Sequence, residues 1–128
     1  MHDADNTYTW STGGNYMDGT ITTTFLAALN SGGGFAGHTD WRIPNVSELQ
    51  TLVDFGRVAP TIDPVFNTDC APACTVLMCS CTATTDHWSS STDTYDPAQA
   101  WLVQFYVGFT NSSLKYKDTH VRAVRGGS

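Results

Sequence analysis

The order of patterns along the chain predicts an α+β domain. Three observations carry this: a short aromatic strand near the start, two helical patterns before residue 57, and a run of strand-like segments after residue 100. The 128 residues suit a single domain, residues 1–128, with no internal repeat and no second hydrophobic cluster that would require another.

Tyr8-Thr-Trp-Ser alternates large aromatic and small polar residues and reads as a strand stopped by Gly13-Gly14. Ile21, Phe25, Leu26 and Leu29 then recur at helical spacing, and Asn30-Ser-Gly-Gly-Gly ends that helix. The second helix is announced by Pro44, Asn45 as N-cap and Glu48 three residues on, a capping box. Leu49, Leu52 and Val53 share one face of it, and the element is expected to run from Asn45 to Phe55, before Gly56. Residues 57–98 read as a long loop with Pro60, Pro64, Pro72 and Pro97. Trp101-Leu-Val-Gln-Phe-Tyr-Val is rich in β-branched and aromatic residues and reads as a central strand entering a turn at Gly108. Leu114–Lys117 and His120–Arg125 supply two more short strands, with the final strand pairing beside the first.

The four cysteines, Cys70, Cys74, Cys79 and Cys81, fall in one short segment otherwise made mostly of small residues. Pairing Cys79 with Cys81 would close a strained ring. Facing residues of a hairpin have numbers of constant sum, and the nested set, Cys70 with Cys81 and Cys74 with Cys79, meets this more closely than the crossed set. Four thiolates are also a zinc set, although zinc sites usually join two separated Cys-x2-Cys knuckles, a spacing not found here. If disulfides form, the chain belongs to an oxidising compartment, which is extracellular, cell-surface or periplasmic.

Six basic residues stand against twelve acidic ones, a net charge of −6. That balance opposes binding to a phosphate backbone or an anionic membrane, so nucleic acid is excluded as a partner. The longest apolar stretch, Trp101–Val107, is too short to insert in a bilayer. The chain is expected to be part of a longer precursor whose targeting signal lies outside it.

Asp40-Trp-Arg-Ile-Pro-Asn-Val-Ser-Glu-Leu-Gln-Thr-Leu-Val-Asp, Trp88-Ser-Ser-Ser, Ala100-Trp-Leu-Val-Gln-Phe and Val121-Arg-Ala-Val-Arg-Gly, in this order and spacing, resemble the Lcl C-terminal-like domain family, the tail domain of collagen-like bacterial adhesins. The likeness runs from about residue 5 to residue 127. It implies a C-type-lectin-like fold, similar in outline to formylglycine-generating enzymes, with two helices packed on a small twisted antiparallel sheet and long stapled loops. It also implies a ligand-binding role outside the cell. The acidic balance departs from the better-known adhesin tails.

Read physically, Trp41 and Trp88 are expected to be core anchors, and Arg42, Arg122 and Arg125 to fix carboxylates such as Glu48 or Asp54. Ser89-Ser90-Ser91 lacks a Gly-x-Ser-x-Gly elbow and reads as a hydrogen-bonding run at a strand end. The histidines lack the spacing of a helical metal site, though His38-x-Asp40 and Asp86-His87 could each orient an imidazole. The copper chemistry of formylglycine-generating enzymes uses a cysteine pair toward the C-terminal part of the chain, and here every cysteine precedes Trp88. No catalytic residue and no cofactor is therefore assigned. Asp63, Asp69, Asp93 and Asp96 are oxygen donors for calcium, but their spacing fits no defined loop motif, so no metal site is assigned either.

The binding surface is expected between Tyr106 and Lys117, where Tyr106, Phe109, Asn111, Ser113, Lys115, Tyr116 and Lys117 mix rigid rings with adaptable polar groups. A glycan or protein ligand on another cell or surface is the expected partner. Packing of the same rings within the sheet is the plain alternative. Self-association as a trimer-forming tail beneath a stalk would use the same face.

Overall fold

The computed structural model describes residues 6–57, 61–62 and 85–126. Cys70, Cys74, Cys79 and Cys81, with both disulfides expected of them, and Asp63 and Asp69 lie outside the described residues.

The described chain is α+β, with little helix and small antiparallel sheets. Strand β1 is Tyr8–Thr9. A π-helical segment, Ile21–Leu26, runs straight into α1, Ala27–Asn30. Strand β2 (Trp41–Arg42) and helix α2 (Val46–Gln50) follow. Strands β3 (Asp86–Thr92), β4 (Gln99–Gln104) and β5 (Phe109–Leu114) form a meander, and β6 (Asp118–Thr119) and β7 (Val124–Arg125) end the chain. The sheets are β3-β4-β5, β1-β6 and β2-β7.

The first helix buries Ile21, Phe25 and Leu29, the spacing expected of it. Where the chain enters it, Gly19 passes so close to Thr9 that a Cβ would lie 2.4 Å from the Thr9 carbonyl oxygen. At its end the Asn30 amide stands in for a strand partner: Nδ2 donates to the Trp41 carbonyl and Oδ1 accepts from the Trp41 N–H, both at 2.9 Å.

The capping box of α2 is present in full, with the Asn45 side chain accepting from Glu48 N at 2.8 Å and Glu48 Oε1 accepting from Asn45 N at 2.9 Å. The helix is shorter than expected, ending at Gln50 rather than Phe55. The N–H groups of Thr51, Leu52 and Val53 reach back three residues, the Thr51 hydroxyl takes the Glu48 carbonyl at 2.6 Å, and Val53 leaves to bridge Ile62. Pairing with a distant segment outcompetes another helical turn.

Three further expectations are corrected. Asp86–Thr92 is a strand within the stretch read as loop; its serines hide it from an apolar alternation, yet they supply hydrogen bonds, Ser89 Oγ to the Trp101 carbonyl at 2.7 Å and Val46 N to Ser91 Oγ at 3.0 Å. The strand after β4 is Phe109–Leu114 and not Leu114–Lys117, which turns instead, with Lys117 N donating to the Leu114 carbonyl. The first strand pairs with β6, and the final strand pairs with β2.

Strand β4 lies between two apolar clusters. Successive side chains of a strand point to opposite faces, so Leu102 enters a cluster with Trp10, Ile21, Phe25 and Trp88, while Val103 joins Leu49, Ile62 and Phe105. The two buried indoles tie the start of the chain to β3: Trp10 Nε1 donates to the Ser89 carbonyl at 2.8 Å and Trp88 Nε1 to the Tyr8 carbonyl at 3.0 Å. Trp41 is only half-buried, its indole on the Phe35 carbonyl and its ring 5.5 Å from that of Phe35.

Candidate functional site

The residues expected to bind do not form one patch. They run the length of β5, and the structure separates them into two ends and one buried residue. The five steps of about 3.4 Å between Phe109 and Leu114 place them roughly 17 Å apart.

At the β4–β5 turn, Tyr106 is 61% exposed and Phe109 64%, with Val107 and Phe55 also outside. The turn's geometry brings Phe55 to Gly108, between Val107 and Phe109 in the chain. Gly108 has φ +81°, and a Cβ there would meet the Phe55 ring and Val53, both at 3.1 Å, so only glycine lets the backbone lie directly against Phe55. The turn is anchored from below: Thr61 donates to the Phe105 carbonyl through N at 2.7 Å and Oγ1 at 2.8 Å, and Val107 and Gly108 N–H groups close on the Gln104 carbonyl. Gln50 Nε2 reaches the Thr110 hydroxyl, fastening α2 to β5 beside the patch. Phe55 escaped the sequence reading because it was placed inside a helix; only the short α2 puts it on the surface.

At the other end, Lys115 corrects the expectation. Its side chain is 1% exposed, with Nζ lying 4.2 Å from the centroid of the Trp10 ring and donating to the Asn15 carbonyl at 3.1 Å. Burial pushes the pKa of this ammonium down. It is a framework residue: its N–H donates to the Ala98 carbonyl, and its own carbonyl accepts from Trp10 and Ser11. Lys115 thus pins three segments, which carry the exposed rings of Tyr16, Tyr95 and Tyr116. Lys117 is exposed beside Tyr116.

Between the two ends, Asn111 is exposed and Ser113 half-buried. Asn111 Oδ1 accepts from Ser112 N at 2.9 Å, and Ser112 Oγ donates to Gln99 Oε1 at 2.9 Å. Asn111 thus occupies an N–H of the edge strand with its own side chain, a device that discourages edge-to-edge pairing.

The charged groups singled out from sequence have structural partners. Arg42 grips Glu48 with both terminal nitrogens, at 2.8 and 2.7 Å, and its Nε donates to the Gly126 carbonyl at 2.7 Å. That guanidinium and the Asn45 N–H hold the Glu48 carboxyl down at about 2. Arg125 lies 3.8 Å from Asp40 and donates to His38 Nδ1 at 3.0 Å, while Asp54 pairs with Arg57. Asp93 and Asp96 are engaged by the turn that follows them, accepting from Tyr95 N, Ala98 N and Gln99 Nε2. Among the described residues, no group of three His, Cys, Asp or Glu side chains is placed to hold a metal ion, and no helix is long and apolar enough to cross a membrane.

No curated protein and no solved structure matches the chain. A family model, that of the Lcl C-terminal domain, matches residues 1–125. With almost the whole chain matched, this protein belongs to the Lcl C-terminal domain family.

Proposed function

We propose that this domain is a non-catalytic, extracellular ligand-binding module of C-type-lectin-like architecture, and that it serves adhesion by recognising a glycan or protein through the apolar surface at the β4–β5 turn. The observation that supports this reading is the exposure of Tyr106, Val107 and Phe109 at a turn hydrogen-bonded to Thr61 and Gln104, with the exposed Phe55 ring lying against Gly108 of that turn. Aromatic rings on an immobilised backbone lose little entropy on binding, and such rings dominate binding energy at interfaces. Family membership supports a role as the tail module of an adhesin. The net charge of −6 favours a neutral glycan or a protein over a sulfated chain.

Screening wild type, Tyr106→Ala and Phe109→Ala on glycan, glycosaminoglycan and host-protein arrays tests the reading. A ligand whose affinity falls by about 1 kcal/mol or more in either variant, at unchanged melting temperature, is the expected result. Equal binding by all three proteins moves the site away from the turn, and salt-sensitive binding to sulfated chains overturns the charge argument. Light scattering on the same samples addresses self-association: a trimer that Phe109→Ala dissociates would make the patch a stalk-tail interface.

A further inference from the structure

We propose that His87 is the pin of an acid-released latch that fastens the C-terminal segment, residues 118–125, onto the central sheet. The segment is held at three places. It pairs with β1 through Tyr8 and Thr119, with β2 through Arg42 and Val124, and with β3 through a parallel bridge between His87 and His120. At that bridge Trp88 N donates to the His120 carbonyl at 2.9 Å.

The His87 side chain fills the seam. It is 2% exposed, its ring meets Phe105 edge-on at 5.0 Å, the His120 ring lies 5.6 Å away, and Nδ1 is 3.2 Å from the Thr85 carbonyl. Apart from the Thr85 carbonyl, which favours a proton on the ring, the surroundings favour the neutral form. Phe105, at the end of β4, and Ile62 behind it are apolar. The charges that reach the ring are those of His120 and Arg122 from the C-terminal segment, and both oppose its protonation. Asp86 precedes it on β3, where alternation turns neighbouring side chains to opposite faces. Within β3, then, no acid shares the seam with the imidazole.

A proton on His87 is therefore accepted only after the segment lifts and water reaches the ring. Burial, first, together with the basic neighbours His120 and Arg122, outweighs the Thr85 carbonyl and holds the pKa of His87 at about 3 in the closed state, against 6.5 in water. The folded value is depressed, so protonation favours the open state. The latch is fully fastened above pH 6.5 and loses hold as the pH falls from there toward 3. With those two values, the ratio of open to closed rises roughly 25-fold between pH 7 and pH 5.

Amide exchange followed by NMR at pH 7 and pH 5 tests this on the intact domain, with the intrinsic rates corrected for pH. The Trp88 amide, bonded across the seam, is expected to lose about 25-fold in protection. The Leu49 amide, bonded to the Asn45 carbonyl within α2, is the reference and is expected to keep its own. His87→Phe keeps an aromatic edge against Phe105 and cannot take a proton, so its Trp88 protection is expected to be equal at the two pH values. If that variant does not fold, the wild-type His87 ring signal carries the test: no titration above pH 5 supports the latch, and a midpoint near 6.5 in the folded protein overturns it. Equal loss at Leu49 and Trp88 overturns it too, since that is global unfolding.

Discussion

Lys115 shows how a residue type misleads. A lysine between exposed tyrosine positions reads as a solvated ligand contact, yet here the ammonium lies over the Trp10 ring and donates to one carbonyl. The same properties that suit Lys to binding, a long apolar stem and a cationic tip, also suit it to burial beside an aromatic ring. Lys115→Ala is expected to destabilise the domain by about 2–3 kcal/mol through lost packing and the unpaired Asn15 carbonyl, while Lys115→Met, which restores the volume, costs under about 1.5 kcal/mol. Urea denaturation of the two variants checks this; equal losses would show that charge, not packing, is what the site uses.

Helix α2 is too short to stand on propensity. One acid holds it: Glu48 closes the capping box and receives the Arg42 fork, which ties the helix to β2 and to the Gly126 carbonyl. Because the Glu48 carboxyl is held at about 2 in the fold against 4.5 in the free chain, its contribution is present above pH 4.5 and is lost as the pH falls toward 2. Glu48→Gln keeps the shape but cannot lose a proton, so its urea midpoint is expected to change less than that of the wild type between pH 5 and pH 3. Parallel midpoints across that range would show that Glu48 does not carry the acid dependence. The cap itself was legible in the sequence because it is local: Asn45 and Glu48 are three residues apart and answer only to each other.

For the molecule as a whole, the C-terminal segment is the fastening. Strands β1 and β2 are two residues each, and each has its sheet partner in β6 or β7. An isolated two-residue strand has no stability of its own. Ending the chain after Lys117 removes both partners and the acceptor for Trp88 N. That truncation is expected to lower the melting temperature while a cooperative transition, carried by the two clusters around β4, remains in near-ultraviolet circular dichroism. An unchanged melting temperature would show that the segment is not the fastening, and loss of the transition would show that it does not lift apart from the rest.

The sequence by itself determined the local features: the α+β class, the first helix with its buried Ile21, Phe25 and Leu29, the Asn45–Glu48 cap, the turn at Gly108 and the family. Each depends on residues within a turn or two of one another, or on motif order. The tertiary structure decided what depends on distant competition. Val53 leaves the helical path because Ile62 offers a bridge, and this exposes Phe55 beside the turn. The serines of β3 become strand because β4 supplies a ladder and Pro44 a further carbonyl. Lys115 disappears from the surface because Trp10, over a hundred positions earlier in the chain, lies beneath it. Periodicity records which residues prefer burial, but the partner that buries them is chosen by the fold.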